Sequence, residues 1–351
     1  MKTIFKQNGY RVNILKKEYK IKFIILILIL LLSFIASIFL GRYKLTFGEV
    51  IEFLRLKTLG LEIPASEGKV LFEIRLPRLA ASMIVGAALS LSGCAYQGMF
   101  KNPMASPDIL GASTGAGFGA ALAILLGFNY FGVSILSFTM GIAAVLLAYG
   151  ISRLTKGEPV LSMILAGMII AALFQAGTSF IKMISDTENQ LPAITFWLMG
   201  SLSSIKNSDL IKLIIPSAIG IIPLILLRWK MNLLTLDEDE ARSMGVNTGV
   251  LRVIVIICAT LLTSVSVSIS GLIGWVGLVI PHFCRLIFGC DNRRLIPASL
   301  LSGAAFLLIV DDVARTATTS EIPLGILTSF IGAPLFFVLL LKRRNTNGSR
   351  G

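Results

Sequence analysis

The stretch IKFIILILILLLSFIASIFL, residues 21–40, decides the fold class of this 351-residue chain. Its only charge is Lys22 at the start, and Ile and Leu make up most of the rest. About 20 apolar residues in a helix cross the roughly 30 Å hydrocarbon core of a bilayer. A chain in lipid must satisfy its backbone internally, and long continuous segments of this kind do so as helices rather than as a barrel. The stretch therefore predicts a membrane-spanning helix.

Similar segments recur along the whole chain, so we predict an all-α polytopic membrane protein with about ten transmembrane helices in one domain, residues 1–351. The predicted spans cover residues 22–40, 78–99, 110–127, 131–152, 160–182, 211–228, 250–270, 272–289, 295–315 and 323–341.

Composition and charge support a chain that lives in lipid. Hydrophobic residues make up 55% of the sequence and charged residues only 15%, whereas soluble domains carry roughly 25% charged residues. The net charge of +13 is concentrated at segment ends, which is typical of cytoplasmic loops rather than of a nucleic-acid surface. An even number of spans places both basic tails, residues 1–21 and 342–351, in the cytoplasm. The predicted location is the cytoplasmic membrane, with lipid and not nucleic acid as a partner.

Two predicted external segments contain candidate surface helices. Residues 41–77 carry six Lys and Arg residues and five Glu residues, and apolar residues recur at helical spacing from Phe47 to Leu54. This pattern predicts an amphipathic helix on the membrane surface. Residues 183–210 combine Trp197 with a polar run, which is typical of an interfacial helix.

The long cytoplasmic insertion, residues 229–249, contains the acidic cluster Asp237–Glu240. Acidic residues favour the N-terminus of a short helix, and Gly245 is suited to its C-cap. Leu236, Ala241 and Met244 would give that helix an exposed apolar side. We interpret the segment as a docking helix for a cytoplasmic partner; the alternative is a solvated linker between two halves.

A faint similarity between two stretches of the sequence indicates an inverted internal repeat. Ser90–Gly93 precedes Asn102-Pro103, and Ser268–Gly271 precedes Pro281-His282. On the predicted topology the two stretches run in opposite directions, as in many transporters. Because small residues recur in any packed membrane bundle, the match is weak by itself.

The sequence lacks the motifs of a catalytic or energy-coupling site. It contains no GxxxxGK[ST] phosphate loop, no HExxH motif, no CxxC pair and one histidine, His282. We therefore predict no enzymatic activity, cofactor or metal site. Intramembrane acids are scarce; Asp311 and Asp312 lie near the outer end of span nine, beside Arg315. Because self-powered carriers keep coupling groups near the midplane, the energy for transport is expected to come from another subunit.

Several ordered motifs are specific. RLPR at residues 75–78 leads into VGAALSLSG at 85–93, QGMFKNPMASP at 97–107 and LGASTGA at 110–116. GLVIPH at 277–282 and EIPLGI at 321–326 follow. This set resembles the FecCD family of ABC-transporter permeases from about residue 20 to 342. The motif positions that carry the resemblance are Asn102, Pro103, Pro107, Gly111, Pro281, His282, Pro323 and Gly325.

The resemblance implies a permease subunit of a type II importer. A second permease subunit, identical or paralogous, would complete the path, two cytoplasmic ATPases would drive it, and an external binding protein would deliver the solute. Substrates in the family are iron–siderophore complexes, haem and cobalamin, and we predict an iron–siderophore complex. The rival interpretations are a stand-alone secondary carrier or channel and a membrane-embedded enzyme.

The resemblance also implies roles for individual positions. Arg75, Arg78 and Arg315 match the outer arginines that meet acidic residues of the binding protein; the alternative role for each is an interfacial, snorkelling arginine. Val160 and Leu161 match an apolar inner gate. The ATPase-coupling segment matches Leu236, Asp237, Glu240, Ala241, Met244 and Gly245.

Overall fold

The structure is a computed structural model that describes the backbone of residues 2–61, 68–155, 158–236 and 238–348, and side chains from residue 18 to 338 within those ranges, except Glu238. Throughout these residues the regular structure is helical. The α-helices are α1 Lys2–Phe39, α2 Phe47–Thr58, α3 Leu76–Met99, α4 Ala112–Leu125, α5 Tyr130–Leu154, α6 Pro159–Ile184, α7 Gln190–Met199, α8 Asn207–Leu227, α9 Glu238–Ser243, α10 Thr248–Ser270, α11 Val276–Phe288, α12 Asn292–Thr316 and α13 Leu324–Gly348.

Ten of these helices correspond to the ten predicted spans, which confirms the all-α membrane fold. Seven are long and apolar enough to cross a membrane, namely α1, α3, α5, α6, α8, α10 and α12. The apolar parts of α4, α11 and α13 are shorter. Below, the outer side is the side predicted to be external, and the inner side is the opposite one.

The short helices α4 and α11 correct the prediction of two continuous spans. They contain 14 and 13 residues, which gives each a length of about 20 Å, less than the hydrocarbon thickness. Residues 100–111 and 271–275 lie before them as irregular or 3₁₀ backbone. Irregular backbone is tolerated at membrane depth where protein covers it, and Pro107, Leu110 and Ile273 are indeed buried.

Helix α1 is longer than a span requires. Its 38 residues extend about 57 Å, so the predicted basic tail, residues 1–21, is a helical continuation of the first span from Lys2 onward. Only 6% of the apolar window of α1 is buried, so the helix lies at the periphery of the bundle. The start of its apolar part is attached to α11: Phe23 packs on Phe288 with ring centroids 4.8 Å apart, and Lys22 donates to the carbonyl of Ile287 at 3.2 Å.

The core forms around α3, where glycines allow backbones to touch. A Cβ added to Gly86 would overlap the backbone of Gly303 in α12, and one added to Gly93 would overlap Gly277 in α11. Such close approach is how helices associate in lipid, where burial of apolar surface gives no driving force. Glycines at these positions therefore let α3 pack closely against α11 and α12.

Hydroxyl groups join α3 to its neighbours inside the core. The Ser92 hydroxyl donates to the carbonyl of Ala259 at 2.9 Å, and Tyr96 shares a hydrogen bond with Thr260 at 2.9 Å. The Ser90 hydroxyl donates to the carbonyl of Ser299 at 2.8 Å. Each bond satisfies a polar group that would otherwise be costly in an apolar interior. Together with the glycine contacts, they fix α3 against α10 and α12.

The internal repeat is visible in the order and lengths of the helices. Helices α3 to α6 have 24, 14, 25 and 26 residues, and α10 to α13 have 23, 13, 25 and 25. The two sets are separated by an odd number of crossings and so run in opposite directions, as predicted. The two similar stretches that suggested the repeat do not occupy equivalent positions in it. Ser90–Gly93 lies within α3, whereas Ser268–Gly271 lies at the end of α10.

Helix α2 is the predicted amphipathic surface helix. Thr46 and Glu49 form a capping box, in which the Glu49 carboxylate accepts from the Thr46 N–H at 2.7 Å. That bond holds the pKa of Glu49 below its usual value. Val50 and Phe53 are buried against the protein, whereas Phe47, Ile51 and Leu54 are exposed on the other side. These exposed residues are suited to contact with lipid at the outer interface.

Candidate functional site

The three predicted docking arginines lie together at the outer side. Arg75 and Arg78 stand at the start of α3, and Arg315 in the last turn of α12. All three side chains are buried, with residue exposures of 4%, 7% and 6% respectively. The sequence motif therefore located a genuine cluster, but its members face inward in this conformation.

Arg78 is neutralised by two carboxylates. Its Nε and Nη2 donate to Asp311 at 2.9–3.0 Å, and its Nη1 donates to Glu321 Oε1 at 2.9 Å. The Asp311 side chain is completely buried, whereas that of Glu321 is 28% exposed. Two-pronged pairing of this kind is the strongest form of arginine–carboxylate contact. It joins α3, α12 and the segment before α13.

Arg75 and Arg315 cap the outer end of α1. Arg75 donates to the carbonyls of Ile38 at 2.5 Å and Tyr43 at 2.7 Å, and Arg315 donates to the carbonyl of Ser37 at 2.8 Å. The last carbonyls of a helix lack intrahelical partners, so cationic groups there satisfy them and complement the helix dipole. Arg315 also forms an ion pair with Asp312, which accepts a hydrogen bond from the Ser37 hydroxyl.

This arrangement was only partly accessible from the sequence. Asp311, Asp312 and Arg315 are three and four residues apart on one helix, a spacing that predicts pairing. The contacts of Arg78 with Asp311 and of Arg75 with α1 join segments distant in sequence and needed the fold. Acidic residues of a binding protein would have to compete with these internal partners for the arginines.

The predicted coupling segment is a compact inner-side element. Its predicted residues, Leu236 to Gly245, follow a 3₁₀ helix, Lys230–Thr235, and include α9, and Gly245 has a φ of +77° just after α9 ends. Met244 is 58% exposed, Leu236 is half-buried and Glu240 is exposed. Ala241 is fully buried, so the prediction that it forms part of an exposed apolar side is wrong: it packs into the core. Asp237 lies outside the described residues.

Polar contacts attach the coupling segment and the 3₁₀ helix before it to the transmembrane helices. The Lys101 ammonium donates to the carbonyl of Leu236 at 3.1 Å, and the Asn232 amide donates to Asp291 at 2.8 Å. Asp291 is partly buried, which raises the pKa, but the N–H of Arg293 and the Asn232 amide outweigh this and hold the pKa of its carboxyl below the usual value. Movement of this segment would therefore be transmitted to the inner ends of α3 and α12.

The predicted inner gate residues begin α6. Glu158 caps the helix by accepting from the N–H of Leu161 at 3.1 Å. Val160 is half-buried and Leu161 is 53% exposed. Leu161 is thus free to contact another subunit or to line a passage between subunits.

The family-motif residues mostly shape the irregular backbone. Asn102 accepts from the N–H of Met104 at 2.9 Å, which forms a turn at Pro103, and Gly111 has a φ of +83°, which favours glycine. Pro107 packs against Gly277, and Gly325 approaches the backbone of Met199 and Leu272. The remaining motif positions are Pro281, buried within α11, His282, whose ring meets Phe336 edge-on at 6.3 Å, and Pro323, which lies just before α13.

A cavity of about 410 Å³ opens beside α6, and the sequence did not reveal it. It lies between the outer half of α6, the start of α4 and residues 272–274. Its polar lining residues are Asp108, Ser113, Thr114, Gln175, Thr178, Ser179 and Lys182. A second cavity of about 610 Å³ shares Leu198, Leu272 and Gly274 with it and extends to α13. Because they share these lining residues, the two cavities form one recess. It lies along α6 and α13 on an uncovered face of the protein.

Comparison with known proteins identifies the family. Residues 29–342 match the FecCD transport family. This chain belongs to the FecCD transport family. The molybdate import system permease protein MolB of Haemophilus influenzae is 41% identical over 317 residues, which cover 90% of this chain and 94% of the relative. The probable iron chelatin transport system permease protein of Helicobacter pylori is 42% identical over 275 residues, 78% of this chain and 83% of that protein.

A solved structure has the same fold. It is an inward-facing conformation of an ABC transporter assigned to the metal-chelate type, with a TM-score of 0.82 and 40% identity, covering 90% of this chain and 97% of that one. The FecCD chain described here is thus a multi-pass permease subunit of an ABC importer in the cell membrane. Permeases of this family are transport components rather than enzymes, and the family implies a partner permease and ATPase subunits.

Proposed function

We propose that this permease moves an iron–siderophore complex that an external binding protein delivers, while two cytoplasmic ATPases supply the energy. The observation that carries the proposal is the combination of a FecCD fold with a recess on an uncovered face and an attached coupling segment on the inner side. Haem and cobalamin are the other solutes that the resemblance implies.

Molybdate is a second candidate solute. The similarity to MolB extends over 90% of this chain, further than the 78% covered by the iron chelatin relative at almost the same identity. Because related permeases carry such different solutes, substrate identity is decided by experiment.

We place the binding protein on the outer side, at the cluster of Arg75, Arg78 and Arg315. Its acidic residues would exchange with Asp311, Asp312 and Glu321, of which Glu321 is the most exposed. We place the ATPase on Leu236, Glu240, Met244 and Gly245, and we keep Val160 and Leu161 as the inner gate. A second copy or a paralogue would complete the passage.

The described acidic residues give little support to the stand-alone carrier. Asp311 and Asp312 are paired with arginines, and Asp209 is paired with Lys212 at 2.9 Å. Asp108 accepts a hydrogen bond from Ser113. A carrier that couples transport to protons or sodium needs an intramembrane group that binds and releases the ion.

Uptake of labelled tracers tests the proposal. A strain that lacks this gene and other importers of the family would be given an iron–siderophore complex, molybdate, cobalamin or haem, with and without the restored gene. We expect the gene to restore iron–siderophore uptake. Restoration of molybdate uptake alone would make molybdate the solute, and restoration of none would contradict the import function.

A further inference from the structure

Polar side chains along one side of α6 line the recess. Gln175, Thr178, Ser179 and Lys182 are spaced at i, i+3, i+4 and i+7, which places them on one side of the helix. Lys182 is the only cation that lines the recess among the described residues. It lies two residues before the outer end of α6, so it stands near the outer opening.

The deeper part of the recess has a different chemistry. Ser113 is the second residue of the short helix α4 and lies about 18 Å below the outer end of that helix, well below Lys182. Beside it is the carboxyl group of Asp108, which accepts the hydrogen bond from the Ser113 hydroxyl. The depth of the recess therefore offers hydrogen-bond acceptors, whereas its opening offers positive charge.

The hydroxyl groups that line the recess already donate hydrogen bonds within the protein. Thr178 donates to the carbonyl of Phe174 at 2.9 Å, Ser179 to that of Gln175 at 3.0 Å and Thr114 to that of Gly111 at 3.0 Å. Only their oxygen lone pairs remain for a solute. Among the described side chains below Lys182, only the Gln175 amide still offers donors to an anion.

Lys182 itself is available to a solute. No ion pair or hydrogen bond of its ammonium group with another described residue is found, and its side chain is half-buried at the edge of the recess. Lys212 provides a contrast on α8, because its ammonium group is held by Asp209 at 2.9 Å and lies over the ring of Phe131 at 4.6 Å.

We propose that the recess admits a solute of net negative charge, with Lys182 attracting it at the opening and the acceptor-lined depth around Asp108 preventing its retention. The inference rests on the proposed import function and specifies the charge of the solute. A passage conducts when binding is strong enough to draw the solute in and weak enough to release it. A change from a cation at the opening to acceptor groups in the depth meets both requirements for an anion.

The test uses the tracer strain with variants of the full chain. The tracers are molybdate and a ferric tris-catecholate complex, both anionic, and cyanocobalamin as the neutral comparison. For the anionic tracer that the gene restores, Lys182→Gln should lower the initial uptake rate at limiting concentration roughly tenfold, the lower range of focused electrostatic effects. Lys182→Arg should retain uptake, and the effect of Lys182→Gln should shrink at high ionic strength.

The matched control is Lys212→Gln, which removes a cation from the outer part of another span and should leave uptake unchanged. Quantification of each variant in the membrane separates a transport defect from loss of the protein. The inference is overturned if the restored tracer is the neutral one, or if Lys182→Gln transports the anionic tracer as fast as the unaltered chain. Restoration of no tracer would instead contradict the proposed import function, on which the inference rests.

Discussion

Arg78 and Asp311 show how this chain keeps charges inside an apolar bundle. Both side chains are buried, and three hydrogen bonds of 2.9–3.0 Å connect them. A buried ion pair gains little over a well-packed apolar pair, but removal of one partner leaves an uncompensated charge. The pair is therefore sensitive to single substitutions.

Asp311→Asn should lower the free energy of unfolding by about 3–5 kcal/mol, since it leaves Arg78 with only Glu321 as an acidic partner. Thermal unfolding of the detergent-solubilised protein measures the effect. Glu321→Gln is the matched control: it removes one partly exposed carboxylate from the same arginine and should cost less. Equal stability of Asp311→Asn and the unaltered protein would show that the pair is not buried as described.

A second residue-scale prediction concerns the contact of α3 with α11. Gly93→Ala adds a Cβ that overlaps the backbone of Gly277, so it should destabilise the protein by about 1–3 kcal/mol. In Gly98→Ala, on the same helix, the new Cβ meets only Asn292 Nδ2, at 3.9 Å. That control should be neutral or stabilising, because alanine favours helix. Thermal unfolding that ranks the two variants in the opposite order would be incompatible with the close approach.

The sequence predicted these residues better than their partners. The three arginines belong to local sequence motifs, so Arg75, Arg78 and Arg315 could be identified from the sequence. Their contacts with the last turn of α1 depend on how distant segments meet, which no local pattern encodes. The polar recess was missed for the same reason: Asp108 and Lys182 are separated by more than two helices.

Among the elements, helix existence was predictable and helix ends were not. Hydropathy counts apolar residues and so found every span, but it cannot tell helix from irregular backbone that protein covers. Residues 271–275 are apolar like a span, yet Trp275 has a φ of +69° and the helix begins only at Val276. The predicted spans therefore included irregular backbone, which is why α4 and α11 are shorter than predicted.

The element-scale prediction concerns the coupling segment. Met244 is exposed after α9, so Met244→Glu should weaken binding of the ATPase subunit by about 2 kcal/mol if this side chain is an anchor of the interface. Co-purification at graded ATPase concentrations measures it. Leu154→Glu, at the inner end of α5, changes another exposed apolar side chain and should leave binding intact. A weaker complex with Leu154→Glu than with Met244→Glu would place the ATPase elsewhere.

At the scale of the whole molecule, the topology makes a prediction about its cysteines. Cys94, Cys258 and Cys284 are buried, and Cys290 is exposed after α11, on the predicted cytoplasmic side. A membrane-impermeant thiol reagent should label Cys290 in inverted vesicles but not in intact spheroplasts. Thr187→Cys in a Cys290→Ser background should show the reverse, because residue 187 is exposed between α6 and α7. Labelling of Cys290 in intact spheroplasts would show that the topology is the reverse of the predicted one.

The central claim is that this chain is a passage driven by a separate ATPase. The most direct measurement is solute accumulation in proteoliposomes that contain the permease alone, or the permease with its ATPase, binding protein and ATP. The account predicts accumulation only in the complete, ATP-supplied system, and none by the permease alone under a proton or sodium gradient. Gradient-driven accumulation by the permease alone would contradict it and would restore the stand-alone carrier.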